Sequence, residues 1–198
     1  NLEEIDAGMQ ATDTERHGLE FVIEKYCDAP EVDANFVLCD GEVLFFEASD
    51  EFPKGADVNA QVTGSRLGTF LELGNILPSA LPAKERAVIR DSLHQSLLRE
   101  GLPDGICHLE ARVQNSTMEY TAQDNVLDLT QRPVPTEKEK QPLAWLLEIN
   151  PRPPGIQAAD AIKHTYGVDY WGLALLFPLQ DRQRIRQLSH PFAQGSQY

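Results

Sequence analysis

An alternation of apolar and polar residues over positions 31–36 is the clearest pattern in the sequence, and it lies within EVDANFVLCDGEVLFFEA. Val32, Ala34, Phe36 and Leu38 occupy every second position. Because successive strand residues point to opposite faces, this spacing predicts a β-strand with one apolar face. An Asp-Gly pair follows, and such pairs favour tight turns. The stretch is therefore predicted to form a β-hairpin.

Other segments carry weaker patterns of regular structure. Ile89, Leu93 and Leu97 recur at a spacing of four, which predicts a helix in PAKERAVIRDSLHQSLLREG. The short apolar stretches GICHLEARV and LAWLLEIN predict strands, and LEFVIEKYC is predicted as a buried strand. GIQAADAIKHTYG and VDYWGLALLF predict helices, whereas residues 49–81, rich in Gly, Pro, Asp and Asn, predict a long loop.

These elements predict an α+β fold, an antiparallel β-sheet with flanking helices, because strands and helices are mixed without βαβ regularity. The length of 198 residues suits one domain. We assign residues 1–180 to this domain, within which the polar residues 114–142 are predicted as an exposed insertion. Residues 181–198 are predicted as a polar C-terminal tail.

The charge and the cysteines narrow the classes of function. A formal net charge of −14 argues against a surface that coats nucleic acid. No apolar run reaches the roughly 20 residues of a membrane helix. Cys27, Cys39 and Cys107 are widely spaced, which suits a reduced setting. We therefore expect a cytoplasmic protein with neither nucleic-acid nor membrane partners. A nucleotide site stays open, since Mg²⁺ can bridge carboxylates to phosphates.

Three oxygen-bearing side chains form the first candidate site. Glu148 and Asn150 lie two residues apart in LLEINPRPPG, so they project from the same face of a strand. Glu110 lies in GICHLEARV, and antiparallel pairing of the two strands would bring it alongside Glu148. Two carboxylates and an amide oxygen are hard ligands that suit Mg²⁺. The alternative is a set of solvated acids on a sheet face.

The stretch EKYCDAPE, residues 24–31, is the second candidate. Glu24 and Glu31 bracket a predicted linker whose backbone groups are free to hydrogen-bond a planar heterocycle. A carboxylate seven residues further on could accept the two hydroxyls of a ribose. A plain connection with solvated acids is the alternative.

Two arginines accompany the candidate metal residues. Arg112 follows Glu110 by two positions, and Arg152 follows Glu148 by four. The planar fork of arginine matches phosphate or carboxylate oxygens. Ion pairing with neighbouring acids is the alternative.

In this order, the three patterns resemble the ATP-grasp family of carboxylate–amine ligases, over about residues 19–172. The resemblance implies that the Glu24 side chain contacts the adenine amino group and that the backbone of Lys25 and Cys27 contacts the ring edge. It also implies that Glu31 binds the ribose. The metals bridging the ATP phosphates would be bound by Glu110, Glu148 and Asn150. Arg152 would lie over the phosphates or the acyl phosphate, with Arg112 nearby.

The stretch FLELGNILPSALP, residues 70–82, resembles a loop in the branch that contains L-amino-acid ligases and carnosine-synthase-like enzymes. In that branch the loop lies near the amino-acid substrate. Arg66, just upstream, is a candidate for binding a substrate carboxylate. The resemblance thus implies carboxylate and amine substrates of amino-acid type, joined with ATP and Mg²⁺ through an acyl phosphate.

One part of the family pattern is missing. The residues before Glu24 are too few for the lobe that carries phosphate-binding lysines and a glycine-rich lid. We therefore expect residues 1–180 to be the C-terminal part of an ATP-grasp domain, partnered by an N-terminal lobe of the same protein and inactive alone. A homodimer through VDYWGLALLF stays open, although a core position is favoured.

Two other functions stay open from the sequence. The first is a non-catalytic ATP-binding module of the same fold that serves regulation or assembly. The second is an acidic interaction surface. There is no GxSxG motif, and the cysteines have no evident histidine partner, so nucleophilic catalysis is not indicated. His108 and His164 are both interpreted as structural.

Overall fold

The computed structural model describes residues 2–12, 15, 18, 20, 22–58, 70–123, 126–133 and 140–193. Its helices are α1 Leu2–Ala11, α2 Ala83–Arg99, α3 Ile156–Tyr166, α4 Tyr170–Leu176 and α5 Arg182–Leu188. Its strands are β1 Glu31–Cys39, β2 Glu42–Glu51, β3 Asn75–Ile76, β4 Gly105–Gln114, β5 Met118–Gln123, β6 Val126–Gln131 and β7 Leu143–Asn150. Residues 55–58 add one helical turn. Among the helices described, none is both long and apolar enough to cross a membrane.

Among the described residues, five strands form one antiparallel sheet in the order β3-β2-β1-β4-β7. β5 and β6 pair with each other as a separate hairpin. The turn between β1 and β2 places Asp40 and Gly41 at φ values of 56° and 76°. Positive φ at both turn residues is the conformation that Asp-Gly pairs favour. The predicted hairpin is confirmed.

The apolar face of the sheet packs against α2. Val32, Ala34, Phe36 and Leu38 of β1 are fully buried there, together with apolar residues of β4. From α2 the same cluster receives Ile89, Leu93 and Leu97. The spacing of four places these three side chains on one side of the helix. The helix prediction and its buried face are therefore confirmed.

The opposite side of the sheet has an apolar end and a polar end along the direction of the strands. At the end of β1, Val37 and Cys39 pack against a second apolar cluster that includes Ile162, Tyr170 and Ile185 from α3, α4 and α5. Towards the start of β1 the residues on this side are polar. Since the three helices cover only the apolar end, the polar end is left for other contacts, and the candidate site lies there.

The segment before β1 differs from the prediction. LEFVIEKYC was expected to form a buried strand, but Val22 and Ile23 are 85% and 65% exposed, and residues 22–27 adopt no regular structure. An apolar, β-branched run forms a strand only where a sheet edge is available to pair with it. Among the described strands, none pairs with this segment. The prediction of a buried strand is wrong for these residues.

The described part of residues 114–142 is more than an exposed insertion. It contains the β5–β6 hairpin, whose Leu129 is 6% exposed and joins the core against α2. The Ser116 and Thr117 hydroxyls donate hydrogen bonds at 2.6 Å to the Glu85 carboxylate of α2. The polar composition reflects an amphipathic hairpin, in which Val126 and Leu127 are 63% and 37% exposed while Leu129 is buried.

The described part of residues 181–198 is not a simple tail either. Asp181 caps α5 by accepting a hydrogen bond from the Arg184 backbone N–H at 3.1 Å. Ile185 is 1% exposed and packs in the second cluster. One apolar residue in a polar helix is a weak periodic signal, which explains why the sequence pattern did not predict this helix.

Candidate functional site

Cross-strand pairing brings polar residues of four strands into rows, which we call the polar face. One row is Ser49, Asp33, Glu110 and Glu148, the next is Glu47, Asn35, His108 and Asn150, and Glu31 pairs with Arg112 on the other side of the first row. Side chains directly opposite on antiparallel strands lie close together. The polar face is therefore a compact set of carboxylates, amides and cations.

Glu110, Glu148 and Asn150 lie together on this face. Glu110 is directly opposite Glu148, and Asn150 is opposite His108, as the pairing of two antiparallel strands requires. Burial raises the pKa of Glu110, and the charges of Glu51 and Glu148 raise it further against the opposing charge of Lys54. Repulsion between carboxylates is relieved by a bound cation. Hard oxygen donors on adjacent strands therefore fit Mg²⁺.

Lys54 occupies the middle of the acids on the polar face. Its ammonium lies 2.6 Å from the Glu31 carboxylate, 2.9 Å from Glu51 and 3.8 Å from Glu110. Burial by itself would lower the pKa of Lys54, but the hydrogen bonds and charges of Glu31 and Glu51 outweigh it and raise the pKa. This lysine was not singled out from the sequence. The available signal was a single cation in the acidic stretch EASDEFPKG.

Arg112 is buried, and its guanidinium is bound by the protein itself. It donates to Glu31 at 2.8 Å and, through both terminal nitrogens, to Asp57 at 3.1 Å. It also donates to the Tyr26 hydroxyl and the Cys27 carbonyl, each at 2.9 Å. The ion-pairing alternative is therefore the one that the structure shows. Acceptors of the chain engage the donors of Arg112, and its position near the phosphates stays a prediction.

The contacts of Arg112 attach the segment before β1 to β4. The Cys27 side chain is buried, while Glu24 and Lys25 are exposed. The Lys25 ammonium lies 5.8 Å from the centre of the Trp145 ring of β7, within the range of a cation–π contact. The candidate adenine-binding residues thus extend along the edge of the polar face. Arg66, the candidate for a substrate carboxylate, lies outside the described residues.

Arg152 follows β7 on an exposed turn. Its backbone N–H donates to the Asn150 carbonyl at 2.8 Å, and its guanidinium donates to the Pro153 carbonyl at 3.0 Å. Burial lowers the pKa of His108, and the positive charge of Arg152 lowers it further. The guanidinium of Arg152 is therefore near enough to act on the polar face.

His108 belongs to a buried chain of hydrogen bonds. Its Nδ1 lies 2.9 Å from the Asn35 Oδ1, and the Asn35 amide donates to Glu47 at 2.5 Å. Because the oxygen of Asn35 is an acceptor, this chain favours the tautomer with a proton on Nδ1. The interpretation of His108 as a structural residue agrees with these contacts. His164 is instead exposed on α3, 3.7 Å from Asp160.

A cleft of about 660 Å³ opens beside the polar face. Asp33, Glu72 and His108 line one side, and Gly155 and Ile156 at the start of α3 line another. Asp33 is 4% exposed, and its carboxylate accepts a hydrogen bond from the Asn75 amide at 2.5 Å. Burial raises the pKa of Asp33 to about 10, and its interactions with Glu51 contribute to the rise. A carboxyl with a pKa near 10 is largely protonated at pH 7, so Asp33 contributes a neutral polar group to the wall of the cleft.

Sequence comparison supplies a homologue. The ATP-grasp enzyme fsqD of Aspergillus fumigatus is 51% identical over 192 residues, which are 97% of this chain and 33% of that protein. The chain is thus similar to an ATP-grasp enzyme over nearly its whole length. It spans about one third of the curated relative that it matches. No protein-family model matches the chain.

Comparison with solved structures confirms the fold of this chain. The crystal structure of an L-amino acid ligase from Bacillus licheniformis matches with a TM-score of 0.52 and 16% identity. The match covers 84% of this chain and 31% of that one. Phosphoribosylglycinamide synthetase from Anaerococcus prevotii matches at a TM-score of 0.44 and 12% identity, over 77% of this chain and 28% of that one. The predicted α+β class with an antiparallel sheet and flanking helices is confirmed by the first match.

Proposed function

We propose that this chain carries the adenine-, ribose- and metal-binding half of an ATP-dependent carboxylate–amine ligase site. The observation that carries the proposal is the placement of Glu110 directly opposite Glu148, with Asn150 next along the same face. Three hard oxygen ligands on two adjacent strands suit a magnesium ion that also binds phosphate oxygens. The similarity to an ATP-grasp enzyme supports ATP as the source of those phosphates.

The charges around the polar face support a cationic ligand. Its carboxylates are those of Glu31, Asp33, Glu51, Glu72, Glu110 and Glu148, and the cations in contact with them are Lys54 and Arg112. Carboxylates in such number repel one another when they are ionised. Magnesium bound by Glu110, Glu148 and Asn150 would reduce this repulsion and neutralise the phosphates of ATP.

The nucleotide itself is assigned to the segment before β1. We assign the adenine to the Glu24 side chain and to the backbone of Lys25 and Cys27, and the ribose to Glu31. The salt bridge from Arg112 orients the Glu31 carboxylate at 2.7 Å. Arg152, exposed beside the polar face, is assigned to the phosphates or to the acyl phosphate. Arg112 supports this site from within the protein.

The proposed reaction needs no nucleophile from the protein. A substrate carboxylate attacks the γ-phosphorus of ATP, which forms an acyl phosphate and releases ADP. An amine then attacks the acyl carbon, loses a proton and displaces inorganic phosphate, so that an amide bond forms. The protein contributes positioning and charge neutralisation, which agrees with a site built from carboxylates and cations. The exposed Glu72 carboxylate in the cleft suits an amine substrate, and amino-acid-like substrates are proposed on this basis.

The complete site needs more than the described chain. Since the chain spans about one third of its homologue, we propose that residues 1–180 form the C-terminal part of the ATP-grasp domain. An N-terminal lobe would supply the other half of the nucleotide site. The 198-residue chain alone is then expected to bind ATP weakly and to form no amide. Amide formation by the isolated chain would contradict this division of the site.

The direct test replaces Glu148 in the complete protein, including any sequence that precedes this chain. Glu148→Gln removes the charge of one metal ligand while keeping the shape of the side chain. We expect at least about tenfold weaker Mg-ATP binding by calorimetry, with the thermal unfolding temperature unchanged. Glu100→Gln is the matched control, because Glu100 lies exposed at the end of α2 on the opposite side of the sheet.

The outcomes separate the open functions. Unchanged Mg-ATP binding in Glu148→Gln would remove the nucleotide site and leave an acidic interaction surface. Tight Mg-ATP binding by the complete protein, without ADP formation over a panel of carboxylates and amines, would favour a non-catalytic ATP-binding module. ADP formation that requires both a carboxylate and an amine would support the ligase.

A further inference from the structure

Lys54 is a buried cation shared by acids of three strands. Its side chain is 7% exposed and contacts Glu31 of β1, Glu51 of β2 and Glu110 of β4. Two of these contacts are direct salt bridges, at 2.6 and 2.9 Å, whereas Glu110 lies further away at 3.8 Å. Lys54 therefore lies between the carboxylate assigned to the ribose and a carboxylate assigned to the metal.

The backbone of Lys54 is fixed by the same carboxylate that binds Arg112. The Lys54 backbone N–H donates to Asp57 at 2.9 Å, and the Lys54 carbonyl accepts from the Asp57 N–H at 2.9 Å. The Asp57 side chain in turn binds Arg112 through both of its oxygens. One connected network thus runs from the segment before β1, through Arg112 and Asp57, to Lys54 and the acids of the polar face.

The charge of Lys54 acts in opposite directions on the two parts of the ligand. A buried ammonium stabilises nearby ionised carboxylates, and removing it leaves them unpaired in a region of low dielectric constant. For a free divalent cation, Lys54 is a repulsive neighbour. For Mg-ATP, whose phosphates are anionic, Lys54 offsets the repulsion from Glu31 and Glu51. Its removal should therefore change the two affinities with opposite signs.

We propose that Lys54 is a positioning residue that balances the charge of Glu31, Glu51 and Glu110, so that the site accepts the metal together with the nucleotide rather than the metal alone. This inference rests on the proposed function, since it takes Glu31 and Glu110 as ligands of one Mg-ATP complex. Lys54 acts through these carboxylates, and no contact between Lys54 and the substrate is required.

The test compares Lys54→Met, Lys54→Arg and wild type in the complete protein. Binding of Mn²⁺ alone is followed by electron paramagnetic resonance, and binding of Mg-ATP by calorimetry. In Lys54→Met we expect Mn²⁺ to bind more tightly and Mg-ATP more weakly, each on the order of tenfold. Lys54→Arg keeps the charge and should keep both affinities within about threefold of wild type. Lys84→Met is the control, since Lys84 is exposed on α2 beyond the apolar face.

A purely structural role for Lys54 would weaken both affinities in Lys54→Met, and that result would overturn the inference while leaving the proposed function intact. Unchanged affinities would overturn it as well. Failure of the wild-type protein to bind Mg-ATP would overturn the proposed function and the inference with it. If Lys54→Met does not fold, Glu51→Gln tests the same charge balance in the opposite direction. It should weaken Mn²⁺ binding and strengthen Mg-ATP binding, and the reverse result would refute the inference.

Discussion

The two faces of β1 are equally hidden from solvent but differ in chemistry. All nine residues of the strand are buried. On the apolar face, burial of Phe36 and its neighbours is favourable by about 25 cal/mol for each Å² removed from water. On the polar face, burial of Glu31, Asp33 and Asn35 costs free energy unless each group finds a partner. The apolar face therefore stabilises the fold, whereas the polar face is maintained by a network of compensating charges.

The difference in chemistry between the two faces of β1 indicates which part of the sheet is available for function. A protein whose only requirement is stability gains little from a buried set of charges, because apolar residues of similar volume often serve as well or better. Here the charges converge on the residues assigned to nucleotide and metal. Burial of the polar face of β1 therefore costs free energy. Charge substitutions on this face should change the free energy of unfolding without affecting the packing of the apolar face.

The largest expected effect comes from Arg112→Met, which keeps the side-chain volume and removes the charge. Glu31 and Asp57 would be left as buried carboxylates without this partner, so we expect the free energy of unfolding to fall by about 3 to 5 kcal/mol. Urea unfolding of the chain at pH 7 measures the change. A loss below about 1 kcal/mol would show that the polar network contributes no more than surface ion pairs do.

Leu93→Ala is the companion substitution on the apolar face. Leu93 is 1% exposed in the core against α2, and its truncation should cost about 2 to 5 kcal/mol by loss of burial and creation of a cavity. The two variants should differ in their pH dependence. The loss in Leu93→Ala should stay constant between pH 5 and 9, while that in Arg112→Met should shrink at low pH as Asp57, whose pKa is lowered in wild type by hydrogen bonds from Tyr26 and Arg112, becomes protonated.

The accuracy of the sequence-based predictions follows the same division. Alternation and the spacing of four place β1 and α2 correctly, because their apolar residues report local periodicity. The spacing in LLEIN also places Glu148 and Asn150 on one face. The role of Lys54 was not predicted, because its acid partners lie on three different strands and no local sequence pattern indicates that they come together. For the same reason, the sequence could not decide whether Arg112 contacts phosphate oxygens or neighbouring acids.

The elements that were wrongly predicted depend on tertiary contacts. Val22 and Ile23 belong to an apolar run that predicts a strand, yet strand formation also requires a neighbouring sheet edge. Leu129 and Ile185 lie in polar segments, and each reaches an existing core; in the hairpin, Met118 and Tyr120 pack against the same cluster as Leu129. The polar composition of such segments predicts that they are exposed, although a few buried apolar contacts determine their structure.

A third prediction concerns the pH dependence of the polar face. Burial raises the pKa of Glu47 to about 8, even though the hydrogen bond from Asn35 lowers it. The folded chain then retains a proton that the unfolded chain releases near its ordinary pKa of 4.5. This contribution to stability is complete below about pH 4.5 and is lost as the pH rises towards 8.

Glu47→Gln removes this titration and keeps the oxygen that accepts from Asn35. We expect the variant to match wild type near pH 4.5 and to be more stable at pH 9, by up to about 5 kcal/mol. Urea unfolding across this pH range measures the difference, with Glu100→Gln as an exposed control that should leave the profile unchanged. Parallel profiles for wild type and Glu47→Gln would show that Glu47 is ionised in the folded chain.

The smallest expected effect concerns α5, which packs through Ile185 against the apolar end of the sheet side that also carries the polar face. Asp181 accepts a hydrogen bond from the Arg184 backbone N–H, and Asp181→Ala should reduce the free energy of unfolding by about 1 kcal/mol. Asp181→Asn is the matched control, because asparagine also caps helices and should recover most of the loss. Since α5 is remote from the charges of the polar face, Mg-ATP binding by the complete protein should stay within twofold of wild type. A coupled loss of binding would mean that the apolar end of the sheet supports the site more directly than its separation from the acids indicates.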